Sequence, residues 1–225
     1  MDSRQLWQMM NKSGAVWEYP KDARAPHVIL RSGLHSNGLI DALQFLSQVK
    51  YLELAAEALT DKLRQRIRTK IDWVFGSPMA GIPFATAVAR HLGVKHIGFT
   101  EKIGEKDLIC RFNLEPADSF LMIEEMTTTG ATPRRGIEAV LKKNPRAMAL
   151  NWVGACLARC GPQPEELKSG EIISLVSLPE LNVHYSEWFE GDCPLCKTGS
   201  RAIKDCKRVW PSLLRTMTDP TFPIA

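Results

Sequence analysis

The run Phe120-Leu-Met-Ile123 constrains the fold more than any other stretch. Four apolar residues with no polar alternation belong to a strand buried on both faces. Strands of that kind sit in parallel sheets covered by helices. Val28–Leu30, Trp73–Phe75, His96–Phe99, a segment within Ala147–Leu157 and Ile172–Val176 also read as strands. Ala42–Arg68 reads as a helix, because Leu46, Val49, Leu52, Ala56, Leu59 and Leu63 step by three or four. Gly81–Leu92, with Pro83 in its first turn, and Pro133–Lys143 read as further helices. Strand and helix in this alternation predict an α/β fold: a Rossmann-like parallel sheet with right-handed crossovers, flanked by helices.

The alternation does not reach the ends of the 225-residue chain. Residues 1–45 read as an irregular N-terminal cap segment, 46–176 as the core, and 177–225 as a C-terminal cap. The last segment carries Pro179, Gly191, Pro194, Gly199, Pro211, Pro220 and Pro223. Trp7, Trp17, Trp188 and Trp210 all lie in the flanks, which suits segments packed on a sheet more than a second independent domain.

There are 29 basic and 25 acidic residues, a formal charge of +4. That excess is too mild for a nucleic-acid partner but suits a small anionic ligand. The basic residues Lys62, Arg64, Arg66, Arg68 and Lys70 step by two and so spread around a helix as a solvated face. Ala147–Ala158 is the longest weakly polar run, and Asn151 interrupts it. It falls short of the about 18 apolar residues of a membrane span. The N-terminal MDSRQLWQMM has no apolar signal core, so the expected location is cytoplasmic. Six cysteines in that compartment are thiols or metal ligands. Cys193-Pro-Leu-Cys196 has knuckle spacing for zinc, with His184 and Cys206 in sequence reach to complete a site. Reduced thiols are the preferred reading of the pair.

The most informative loop follows the buried strand. Two acids, Glu124 and Glu125, lead into Met126-Thr-Thr-Thr-Gly-Ala-Thr132 and then Pro133. Thr132 fits a helix N-cap and Pro133 the first helical position. Successive backbone N–H groups at such a helix start hold a phosphate. Gly130 and Ala131 allow close approach, and the hydroxyls of Thr128, Thr129 and Thr132 add donors. The chain has neither a Gly-x4-Gly-Lys-Ser/Thr nor a Gly-x-Gly-x-x-Gly pattern. Open α/β sheets bind ligands outside the carboxyl ends of their strands, which is where this loop falls. Paired acids there need donors or cations, and ribose hydroxyls or a magnesium-bound ligand supply them.

Four apolar residues, two acids and Thr-Thr-Gly-small-Thr resemble the phosphoribosyl pyrophosphate signature of the type I phosphoribosyltransferases. Leu30-Arg-Ser-Gly-Leu-His-Ser36, followed by Asp41, resembles a Ser-Gly-x-x-Ser stretch of the orotate branch. Phe75-Gly-Ser-Pro-Met-Ala-Gly-Ile-Pro83 resembles its pyrophosphate loop, and Leu157-Ala-Arg159 falls where the family has Asp-Arg at a strand end. The resemblance spans roughly residues 25–165.

The resemblance implies the type I phosphoribosyltransferase fold, with phosphoribosyl pyrophosphate as donor and orotate as acceptor in pyrimidine nucleotide synthesis. It also implies magnesium carried on the donor's pyrophosphate and a homodimer. By family position, Glu124, Glu125, Met126, Thr127, Thr128, Thr129, Gly130, Ala131 and Thr132 bind the donor. Ser77, Ala80 and Gly81 face pyrophosphate, while Ser32, Gly33, Thr128 and Arg159 face the base. Lys102, Glu124 and Glu125 are the catalytic candidates. An arginine pairs bidentately with a carboxylate such as orotate's. The sequence departs from the family where Glu-Glu stands in place of two aspartates, or one acid of each kind, and Ala158 in place of the aspartate before Arg159. Phe99–Asp107 falls at the mobile catalytic loop, where Glu101 replaces an arginine, no His-Gly occurs, and Lys106 is one place off. Transfer to another base, or a donor-binding regulator without turnover, remains an alternative. His35 reads as a hydrogen-bonding loop residue.

Overall fold

A computed structural model describes residues 2–104, 107–128, 130–158 and 171–224. In chain order the elements begin with α1 (Ser3–Lys12), β1 (Val16–Glu18), β2 (His27–Ile29), β3 (His35–Ser36) and β4 (Gly38–Ile40). Next come α2 (Ala42–Leu46), α3 (Val49–Arg66), β5 (Trp73–Gly76), α4 (Gly81–Leu92), β6 (His96–Ile103) and β7 (Asp107–Cys110). Then follow β8 (Ser119–Thr127), α5 (Ala131–Lys143), β9 (Met148–Ala158) and β10 (Glu171–Ser177). The chain ends with β11 (Glu187–Trp188), a 3-10 turn at Glu190–Asp192, α6 (Pro194–Lys197), β12 (Ala202–Ile203) and α7 (Trp210–Arg215). No helix among the described residues is long and apolar enough to cross a membrane.

The first compact unit comprises Met1–Gln8 and Leu46–Asn182. Its sheet runs β10-β9-β8-β5-β6-β7. All neighbours pair in parallel except β6 with β7. This is the α/β fold the sequence predicts. From β5 the chain adds β6 on one side, then returns to place β8 on the other. The order therefore switches between β5 and β8, and that crevice is where open sheets bind ligands.

Strand β8 is buried from Ser119 to Glu124. Phe120 and Met122 join Phe75, Val153 and the α5 residues Ile137 and Val140 in one cluster. Ile123 points the other way, as strand alternation requires. It meets Leu59 and Leu63 of α3 over Gly154. Each large side chain so buried contributes roughly 1.5–3 kcal/mol, and together they fix the level at which β8 ends.

Three boundaries differ from expectation. The helix expected over Ala42–Arg68 is two helices, because Gln48 before α3 takes an extended conformation (φ −86, ψ 111). No proline or glycine there announces the break. Strand β8 continues through the two acids instead of stopping at Ile123. The helix expected at Pro133 starts at Ala131, with Gly130 rather than Thr132 at the N-cap position. Gly130 has φ 77, which glycine adopts at no steric cost. Pro133 still fits, since the first four N–H groups of a helix have no partner within it.

The second compact unit is Met9–Phe45 with Val183–Ala225. It has a two-stranded sheet, β1-β4, and a four-stranded one, β11-β3-β2-β12. Residues 1–45, expected to be irregular, thus carry α1, four strands and most of α2. These strands are two or three residues long, and β2 and β3 pair with β12 and β11 from the far end of the chain. Such pairing leaves no local periodicity to read. The core here is Trp17, Val28, Cys206, Trp210 and Leu213. Trp17 Nε1–H donates to Thr216 Oγ1 at 3.2 Å, and Trp210 Nε1–H to the Gly14 carbonyl at 2.7 Å. The buried indoles thereby keep their polar edges satisfied.

Gly98 of β6 lies under the Phe75 ring, and a Cβ there would collide with it. Phe75 is wedged against Trp73, Phe112 and Phe120 and has little room to yield. Gly98→Ala is expected to destabilise the protein by about 1–3 kcal/mol. A urea midpoint equal to that of the unsubstituted chain would contradict this packing.

Candidate functional site

The site is assembled where β5 and β8 end. After β5 the chain turns through Ser77–Ala80, with a cis peptide between Pro78 and Met79, into α4. Ser77 N–H donates to the Ile123 carbonyl at 3.2 Å, which ties the loop to β8. A Cβ on Gly76 would meet Ile82 Cα at 2.8 Å, so only glycine permits the tight return into α4. Gly81 lies directly over the strand, since a Cβ on it would come within 3.1 Å of the Ile123 carbonyl and 3.7 Å of Glu124 Cα. The amino end of α4 and the acid pair are thus neighbours.

Glu124 is 3% exposed, and its Oε1 is buried without a hydrogen-bond partner. Burial, and then the neighbouring Glu125 charge, push its carboxyl well above the ordinary value. The Ser77 hydroxyl and the more distant Lys102 charge act the other way. A buried carboxylate oxygen with no donor is costly. At a ligand site it is an acceptor awaiting a hydroxyl. Glu125 is half-buried and also acts on Cys156 of β9, whose thiol burial pushes up to about 12.

Beyond the acids, Met126 and Thr127 complete β8. Thr127 Oγ1 accepts from Gly130 N–H at 3.2 Å, which folds the loop back before α5. Thr128 is exposed, and Ala131 and Thr132 form the first turn of α5. Thr129 lies outside the described residues. The structure therefore brings together Ser77, Gly81, Glu124 and Glu125, with Lys102 in electrostatic reach, and sets two helix amino ends beside them. Ala80 holds the N-cap position of α4.

Of the stretch expected as a mobile catalytic loop, residues 99–103 belong to β6 and Asp107 to β7, with Lys102 exposed and paired in register with Leu108. Glu101 has a structural partner: it accepts from Arg111 Nε at 2.8 Å across the hairpin. Lys106, Arg159 and Cys160 lie outside the described residues. Ser32 and Gly33 occupy the exposed turn between β2 and β3, in the second unit. Gly33 has φ 87, and its N–H donates to the Leu30 carbonyl at 2.9 Å. Asp41 is buried and pairs with Lys207 at 2.9 Å.

The cysteine pair is not completed as expected. Cys193 and Cys196 converge on His27 and His35, all four ligand atoms lying within 4.8 Å of one another. Cys206 instead donates its thiol to the Ile203 carbonyl at 3.2 Å, and His184 is not in the group. His35 is a buried strand residue, not a loop one. No spacing announces His27 and His35, because they are brought to the cysteines by pairing across some 160 residues of chain.

No protein-family model matches the chain. Curated relatives do. An orotate phosphoribosyltransferase of Thermus thermophilus is 31% identical over 194 residues, covering 85% of this chain and 94% of that protein. One of Heliobacterium modesticaldum is 32% identical over 185 residues, covering 81% and 90%. Among solved structures, the orotate phosphoribosyltransferase of Aeropyrum pernix aligns with a TM-score of 0.63 at 19% identity, covering 79% of this chain and 98% of that one.

The ionisation of Glu124 has a measurable sign. Its pKa is raised in the fold, so the native state holds a proton that the unfolded chain releases above about 4.5. Stability of the ligand-free protein falls as pH rises from there through the native value. Glu124→Gln is expected to flatten this slope in melting temperature against pH. An identical pH profile in the variant would show that Glu124 is not the buried acid described here. With relatives of this identity spanning nearly their whole length, and the acid pair and phosphate-type loop at the switch point of the sheet, the chain belongs to the orotate phosphoribosyltransferase family.

Proposed function

We propose that this protein transfers 5-phosphoribose from phosphoribosyl pyrophosphate to orotate, giving orotidine 5′-phosphate and pyrophosphate. The observation that carries the reading is the unpartnered Oε1 of Glu124, buried at the switch point between two helix amino ends. A ribose hydroxyl is a donor of the right size and charge for it. A solved Mycobacterium tuberculosis orotate phosphoribosyltransferase, whose fold this chain shares at a TM-score of 0.57, contains phosphoribosyl pyrophosphate.

In this reading residues 127–132 and the amino end of α5 hold the 5′-phosphate through backbone N–H groups and threonine hydroxyls. Glu124 and Glu125 accept from the ribose hydroxyls and fix the ring. Ser77, Ala80 and Gly81, with the amino end of α4, face the pyrophosphate. The bond from ribose C1 to pyrophosphate breaks as positive charge builds on the ring. The base nitrogen attacks from the opposite face, and pyrophosphate keeps the bonding electrons. Carboxylates near the ring favour that charge, and Lys102 favours the departing anion. Arg159 pairs with the orotate carboxylate, with Thr128 as a further base-site residue. Magnesium would be carried on the oxygens of the donor's pyrophosphate, where it would supply charge neutralisation to the leaving group. A homodimer working in the cytoplasm completes the proposal.

The test mixes protein, magnesium, phosphoribosyl pyrophosphate and orotate, and follows pyrophosphate release and orotate loss together. Equal rates support the transferase. Donor binding with no orotate loss would move the assignment to another base or to a regulator. Thr128→Val removes one hydroxyl from the loop and is expected to weaken donor binding by about 1 kcal/mol, roughly fivefold. Unchanged affinity by calorimetry would count against Thr128 as a contact.

A further inference from the structure

The second unit holds a four-residue cluster that the transferase reading does not use. His27 is fully buried, His35 is 3% exposed, Cys193 is fully buried and Cys196 is partly so. His27 and His35 sit on paired strands. Ile29 is the register partner of His35, and His27 shares a strand face with Ile29, so both imidazoles project from the same side of the hairpin. Cys193 and Cys196 bracket the start of α6, whose single turn aims both thiols at one point. His27 Nε2 stands 2.9 Å from His35 Nδ1, 3.6 Å from Cys193 Sγ and 3.4 Å from Cys196 Sγ. Cys196 Sγ stands 3.3 Å from His35 Nδ1.

These are the edges of a small tetrahedron. With zinc–sulfur bonds of about 2.3 Å and zinc–nitrogen bonds of about 2.0–2.1 Å, a sulfur–nitrogen edge comes to about 3.6 Å. The two nitrogens need to part by only about 0.4 Å to match their own edge. The far side of His27 is prepared as well. Ser200 Oγ donates its one proton to the Ala25 carbonyl at 2.7 Å, so at 2.9 Å it accepts from His27 Nδ1–H. That bond fixes the tautomer and turns the bare Nε2 lone pair inward, as an outer partner of a metal-binding histidine does.

We infer that His27, His35, Cys193 and Cys196 form a structural zinc site. All four vertices are protein atoms, and none is left for water or substrate, so the ion is a clamp and not a catalyst. What it clamps follows from the topology. The outer strands β11 and β12 are two residues each, both from the C-terminal segment, and both lie against the N-terminal hairpin. Edges that short are held weakly by their own hydrogen bonds. One ion joining the hairpin to α6, between β11 and β12 in the chain, fastens both. Binding releases the thiol protons to solvent and leaves the histidines neutral.

The test uses the untagged full chain purified without added metal, with zinc measured by mass spectrometry. About one zinc per chain is expected, falling below about a tenth in Cys196→Ser and in His35→Gln, while Cys206→Ser keeps it. A chelator is expected to lower the melting temperature of the wild type and restore it on zinc addition. Because a ligand variant can fail to fold, cobalt loading of the wild-type chain supplies a second readout. Thiolate-bound tetrahedral cobalt gives intense visible bands that an octahedral site lacks. Less than about a tenth of an equivalent of zinc together with no tetrahedral cobalt spectrum would overturn the inference, as would full zinc retention in a folded Cys196→Ser protein.

Discussion

Everything at the candidate site depends on one carboxylate held where water cannot reach it. Glu124 is the last of six consecutive buried residues, Ser119–Glu124, in β8. The packing of Phe120, Met122 and Ile123 against helices on both faces leaves that strand no freedom to slide. The acid therefore ends at a fixed depth, beneath Gly81 and beside Ser77, with one oxygen unpartnered. A fold tolerates such a group when a ligand completes it. Helix amino ends suit anionic groups, which is the ligand chemistry the proposed function assigns to this site.

Departures from the family pattern are absorbed locally. Glu101, which the resemblance sets at an arginine position, pairs with Arg111 across the two strands β6 and β7. Lys102, one residue on, remains exposed and acts on Glu124.

The sheet was legible because its central strand contains the uninterrupted apolar run Phe120–Ile123 and its crossovers are helical in period. The phosphate-type loop was legible because acids, threonines and a glycine at a strand end have few structural uses. Three kinds of feature were not legible. The break at Gln48 carries no glycine or proline. Strand β6 runs past the strand expected at His96–Phe99, and β7 pairs with it where a loop was expected, because their sequences mix charged and apolar residues without alternation. Of the short flank strands only β2 was anticipated, near Val28–Leu30; β11 and β12 pair with the far end of the chain, so His27 and His35 meet Cys193 and Cys196 with no signature of spacing. Local patterns report local forces, and those elements are held by long-range ones.

The central claim is that Glu124 waits, protonated more readily than an ordinary carboxyl, for the ribose of phosphoribosyl pyrophosphate. Accepting a hydroxyl favours its ionised form, so donor binding drives the proton off. The direct test is calorimetric titration of the magnesium-bearing donor in two buffers of different ionisation enthalpy, for the wild type and for Glu124→Gln. The account predicts tighter binding by the wild type, with more protons released to buffer than in the variant. Equal affinity and equal proton release in both proteins would contradict it.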